Sequence, residues 1–137
     1  AEPWDKTYLG FEDQALTGRL QPFMMARCLD ARLALAKLPV AESMSSGSVV
    51  VLLTDKMIER NNHLLQLRTS PGKLEAVSTL EQEEVTMDMG AFTQLYFGAF
   101  SASELWEAGH IKCSDVRKLQ LLDELFPKCR TYNNEYF

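Results

Sequence analysis

The sequence has little of the material on which most recognisable chemistry is built. Its three cysteines, Cys28, Cys113 and Cys129, are odd in number and none forms a Cys-x-x-Cys pair. That is poor material for a disulfide framework or a structural zinc site, and it makes a reducing, cytoplasmic location the expectation. The two histidines, His63 and His110, stand far apart and are read as structural or exposed, so no metal site is expected. The glycines at 90, 98 and 109 do not have the spacing of a phosphate-binding loop, and no Gly-x-Ser-x-Gly elbow occurs. An acetyl-CoA pyrophosphate site would need such a loop between a strand and a helix, so no cofactor site is expected within the chain. No apolar run approaches the roughly 18 residues needed to cross a bilayer, and Ala1-Glu2-Pro3-Trp4-Asp5 lacks the basic and apolar regions of a signal peptide. Basic charge is also short: a formal charge of -5 argues against nucleic acid as a partner.

What remains is ordinary globular material, 46% hydrophobic and 24% charged over 137 residues, enough for one domain with a real core. Residues 1–20 are mixed and polar and read as a lead-in and linker segment, leaving 21–137 as the domain. Pro22 to Cys28 has the look of a strand. Asp30 can cap a short helix that places Ala31, Leu35 and Leu38 on one face and stops at Pro39. Ser48–Leu53 is β-branched and too continuously apolar for a half-exposed strand, so it is expected at the centre of a sheet. Asn61-Asn62 turns the chain into a strand over His63–Arg68. Ser70-Pro71-Gly72-Lys73 is a tight-turn signal leading to an antiparallel return over Leu74–Leu80. Val85, Met87 and Met89 alternate with polar residues and predict one more strand.

Beyond Met89 the period becomes helical. Phe92, Leu95 and Tyr96 share a face, and Ser101 with Glu104 fits a capping box ahead of Leu105 and Trp106, with Gly109 as the stop. A short strand over His110–Cys113 and a helix capped by Ser114, carrying Val116, Leu119, Leu122 and Phe126, complete the pattern. A block of strands followed by a block of helices predicts an α+β fold, mainly an antiparallel sheet with helices packed on one face.

Few residues suggest a site. The acidic run Glu81–Glu84 reads as a solvated edge. Met87, Phe92, Leu95, Tyr96 and Trp106 would line an apolar pocket or simply build the core, and periodicity alone leaves both readings open. At the end of the chain Glu135, Tyr136 and Phe137 put two aromatic rings where polar residues are usual, which gives the tail a reason to dock and would fix the terminal carboxylate where Phe137 is held.

Four segments in order carry a resemblance. Pro22-Phe-Met-Met-Ala-Arg-Cys-Leu-Asp30 with its short helix, the strand Val49–Asp55 with the Asn61-Asn62 turn, Asp88–Gly98 running into Ser101–His110, and Leu122-Asp-Glu-Leu-Phe-Pro127 continuing to Phe137 resemble the sterol-carrier-like domain that ends Eis-type (enhanced intracellular survival) bacterial N-acetyltransferases. His110 stands where an arginine is usual in that family, and the common Pro-Trp-Asn form is absent. The resemblance implies an accessory C-terminal domain, inactive alone, of an acetyl-CoA-dependent amine acetyltransferase of the GNAT class. It implies that the chain's own GNAT portion binds acetyl-CoA and that this domain completes the acceptor pocket. It assigns the catalytic carboxylate to the α-carboxyl group of Phe137 and substrate contacts to Glu135 and Tyr136, with a small-molecule amine as acceptor and homo-oligomers in the full-length form. Sterol carriers use the same fold to hold lipids, so a stand-alone lipid- or sterol-binding module, with a hydrophobic ligand, is the alternative.

Overall fold

The computed structural model describes residues 27–128. They form α1 (Ala31–Ala36), β1 (Gly47–Thr54), a 3-10 turn (Glu59–Asn61), β2 (His63–Ser70), β3 (Lys73–Ser78), β4 (Val85–Asp88), α2 (Met89–Tyr96), α3 (Ala102–Glu107), β5 (Ile111–Cys113) and α4 (Val116–Leu125). The strands make one sheet in the order β3-β2-β1-β4-β5. Val49, Val51 and Leu53 of β1 share a core with Leu65, Leu67 and Met87 and with Leu35, Phe92, Leu95, Leu105, Leu119 and Leu122 of the helices. The fold is α+β, with the helices gathered on that face.

The strand over Ser48–Leu53 is central, as its composition requires, and Val50 is buried although it points away from this core. The β2–β3 hairpin forms at the Pro71-Gly72 turn, where Gly72 takes a φ of 71° that side-chain-bearing residues rarely adopt. One pairing departs from the antiparallel pattern: β1 and β4 run parallel. Because β2 and β3 occupy one side of β1, the Thr79–Glu84 connection must carry the chain from the β3 edge across β2 and β1, and it delivers β4 in the same direction as β1. Glu84 is not merely a solvated edge residue. Its carboxylate accepts from the Val50 backbone N–H at 3.0 Å and pairs with Lys118 at 3.2 Å, closing the stretch of β1 that β4 does not reach.

Caps set most helix starts. Asp30 accepts from Leu33 N, and Ser101 and Glu104 form a reciprocal capping box. Two boundaries shift by a residue. Met89 begins α2 rather than ending β4, because the Asp88 carboxylate accepts from Ala91 N at 2.7 Å and turns the chain there. The α4 cap is Asp115, not Ser114, and Val116 is exposed, while Leu119, Leu122 and Phe126 are buried as expected and Leu125 joins them. The helix at Asp30 ends at Ala36, short of Pro39, with Leu38 packed against the core from the following loop. The strand read over Pro22–Cys28 lies outside the described residues except for Arg27 and Cys28, which are irregular.

A buried polar node fastens the start of the domain to the β1–β2 connection. The Asp55 carboxylate accepts from Arg27 Nη2 at 2.6 Å, Asn61 Nδ2 at 3.0 Å, Met57 N at 2.9 Å and Ile58 N at 3.1 Å. Asn61, fully buried, also donates to the Leu29 carbonyl and accepts from Ala31 N, both at 3.1 Å. Asn62 donates to the Asp55 and Glu59 carbonyls and accepts from Asp55 N. The Asn61 amide, the two backbone donors and Arg27 hold the Asp55 carboxyl well below the usual carboxylate range, against the opposing effect of burial.

Two outcomes follow. Asn61→Ala strands a carboxylate oxygen, a carbonyl and a backbone N–H at once, and urea unfolding should show a loss of about 2–4 kcal/mol. Asn62→Ala, at an exposed position, should cost less. A depressed folded-state pKa contributes stability that is complete above the unfolded value, about 3.9, and is lost as pH falls from there toward the folded value. Thermal melts should therefore fall steeply below about pH 4, and Asp55→Asn should lower the melt at neutral pH while making the acid limb shallower.

Candidate functional site

Met87 on β4 and Phe92 and Leu95 on α2 converge on the space between sheet and helices, with Leu35, Val51, Leu53, Leu122 and Phe126 around them. β4 supplies an inward side chain at every second position, and α2 follows at once, so its first two turns lie over the sheet. The lining is wholly apolar, but the enclosed space is only about 10 Å³, at the lower limit for one water molecule (roughly 10–15 Å³). Tyr96 does not line it. Its ring packs with Phe92 at 5.9 Å and Phe126 at 6.4 Å, and its hydroxyl donates to the Ala34 carbonyl at 3.0 Å, tying α2 to α1. Trp106 lies elsewhere: Ala102 and Leu105 are the buried residues of α3, and Trp106, about 100° further round the helix, is 41% exposed. The structure thus brings Met87, Phe92 and Leu95 together, sets Tyr96 beside them and leaves Trp106 apart. Glu135, Tyr136 and Phe137 lie outside the described residues.

A surface groove of about 450 Å³ opens on the other side of α3, lined by Gln94, Phe100, Glu104, Leu105, Glu107 and His110. Composition gave no warning of it, because its residues come from α2, the α2–α3 connection, α3 and the turn after it. The Glu104 carboxylate is engaged there. Its ion pair with Lys128 at 2.8 Å, together with the backbone N–H of Ser101, holds its pKa below the ordinary value. The Cys28 thiol is pushed up by burial, and its backbone N–H donates to Thr93 Oγ1. Cys28 and Cys113 are both free; a buried thiol with a raised pKa is a poor nucleophile.

Among the described residues no cluster of His, Cys, Asp and Glu could hold a metal ion, and no helix is long and apolar enough to cross a membrane. Nor do they suit an acetyl-CoA diphosphate. At the direct strand-to-helix junction, β4 into α2, the Asp88 carboxylate already occupies the first turn and would repel a second anion.

The sterol carrier protein domain family matches residues 31–134. No curated protein sequence matches the chain. Among solved structures, a GCN5-related N-acetyltransferase from Kribbella flavida is similar at 24% identity and a TM-score of 0.71 over 81% of this chain and 29% of that one. Another, from Anabaena variabilis, is similar at 18% identity and a TM-score of 0.67 over 73% of this chain and 25% of its own. Eis1 from Mycobacterium abscessus follows at 22% identity and a TM-score of 0.57, over 74% of this chain and 24% of that one. The chain therefore spans about a quarter of the length of these acetyltransferases. With its sheet order, its one-sided helices and a family match running from α1 past the end of α4, the chain belongs to the sterol carrier protein domain family, in the fold that GNAT N-acetyltransferases of the Eis kind contain.

Proposed function

We propose that the chain is the accessory C-terminal domain of an acetyl-CoA-dependent amine N-acetyltransferase, not a lipid carrier. The observation that carries this reading is the filled interior. A sterol or acyl chain needs a hollow of several hundred Å³, and the space between this sheet and its helices is about 10 Å³. The similar structures support the same reading, since each is a GNAT or probable acyltransferase protein of which this chain matches only a part.

In this proposal the GNAT portion binds acetyl-CoA, and the present domain completes the acceptor pocket and supplies the α-carboxylate of Phe137 as base. An acceptor amine arrives protonated and must lose a proton to become a nucleophile. A carboxylate held within hydrogen-bond reach, directly or through one water, can accept that proton. Free in water its pKa is about 3.3–3.7, so it is ionised at neutral pH and attracts an ammonium group. Glu135 and Tyr136 would contact the substrate beside it. The proposal extends to homo-oligomers of the full-length form and to a cytoplasmic location.

In the polypeptide that joins this chain to its acetyltransferase portion, removing Phe137 should lower kcat by about 10²-fold or more, the usual worth of a positioned base, with an unchanged melting temperature. Unaltered turnover refutes the assignment of the carboxylate. On the chain itself, displacement of a fluorescent fatty acid should be undetectable; saturable displacement at micromolar lipid would restore the carrier reading.

A further inference from the structure

After α4 the chain is held at three consecutive residues. Phe126 is buried with its ring against Phe92 and Tyr96, and its backbone N–H donates to the Leu122 carbonyl at 2.9 Å. Pro127 follows, and a proline disfavours helical geometry in the residue before it. Phe126 accordingly leaves the helix at φ -118° and ψ 76°, and the proline ring locks the next φ near about -65°. Lys128 then sets its ammonium on the Glu104 carboxylate, 2.8 Å from one oxygen and 3.1 Å from the other. The buried ring fixes where the chain leaves the core. The ion pair fixes the direction in which it leaves.

Glu104 is a firm partner because its own turn is tied down on two sides. Ser101 and Glu104 cap α3 reciprocally. Between them Ser103 donates to the Asp123 carboxylate of α4 through its backbone N–H, at 3.1 Å, and through its hydroxyl. The first turn of α3 is thereby fastened to α4, so the group that grips Lys128 keeps its place relative to the helix from which Lys128 descends. The core does not need this pair. Lys128 is 54% exposed and Glu104 41%, and exposed ion pairs add little to the stability of a fold.

We infer that Glu104 and Lys128 are positioning residues for the proposed reaction, aiming residues 129–137 and with them the Phe137 α-carboxylate at the acceptor amine. The inference rests on the proposed function and adds to it two residues that act only through the tail. Nine residues reach much further than a hydrogen bond, so a tail free to pivot at its root would visit many positions for each productive one. Holding the root raises the fraction of time that the carboxylate spends within reach of the amine, which is what proton transfer requires. That fraction acts on the chemical step and leaves substrate affinity alone.

The test uses the polypeptide that joins this chain to its acetyltransferase portion. Glu104→Gln keeps a capping side chain at the third helical position and loses the charge; Lys128→Met loses the ammonium. Each should lower kcat about two- to fivefold, the range an exposed ion pair supports, with KM and melting temperature unchanged. The double variant should be no slower than either single one, as expected of two groups acting through one contact, and Lys128→Arg should keep the original rate. Arg117→Gln, which breaks the exposed Asp115–Arg117 pair at the other end of α4, should leave kcat as it was. In the 137-residue chain the order parameter of the Lys128 backbone amide should be near about 0.85 and fall below about 0.6 in Glu104→Gln. An unchanged kcat in both single variants overturns the inference, as does an additive loss in the double variant, a raised KM or an unaltered order parameter. If removing Phe137 slows turnover but these variants do not, the positioning role alone fails. If removing Phe137 leaves turnover intact, the catalytic reading fails first and a fall in the order parameter marks a structural tether only.

Discussion

A single buried carboxylate organises the part of the domain that faces outward. Asp55 sits at the end of the central strand and draws in a guanidinium, a side-chain amide and two backbone N–H groups. Burying a charge is costly unless every lone pair is met, and here the donors come from two separate stretches of chain. Satisfying the charge therefore fixes where α1 begins relative to β1 and β2. Asn61 makes the fixing specific, because its amide is both donor and acceptor and serves Asp55, Leu29 and Ala31 together. Among the described residues no buried polar side-chain atom is left without a partner.

The other half of the molecule is held by packing. Phe126 closes α4 against Phe92, ring centroids 6.2 Å apart at 81°, an edge-to-face arrangement that adds roughly 0.5–1.5 kcal/mol beyond the area buried. With Leu95 and Leu122 it fills the space between the sheet and the helices, leaving about 10 Å³.

Much of this was legible in the sequence. Side-chain caps are local, so Asp30 and the Ser101–Glu104 box could be placed from spacing alone, as could the Pro71-Gly72 turn and the central strand with its run of valines. What composition concealed was non-local. The parallel β1–β4 pairing depends on which side of β1 remains free after the hairpin forms, and no local pattern encodes that. Met89 alternates correctly for a strand, but the preceding aspartate caps a helix, and a backbone N–H satisfied by that carboxylate outweighs the alternation. Trp106 has the composition of a core residue and the helical phase of a surface one. Asn61 read as a turn residue because asparagine usually is one; only the approach of residues 27–31 makes it a core residue. An apolar strand ending in aspartate, followed by two adjacent asparagines, was the available signal, and it is weak without knowledge of what packs above it.

Each end of the described domain is held by an ion pair. At one end the Arg27–Asp55 pair holds the chain beside the exposed leucines and Met57. At the other, buried Phe126 and the Lys128–Glu104 ion pair fix the point from which residues 129–137 depart. Nine residues span at most about 30 Å when fully extended, and less in any compact form. Under the proposed reading, a reaction centre served by the Phe137 carboxylate lies within that radius of Lys128.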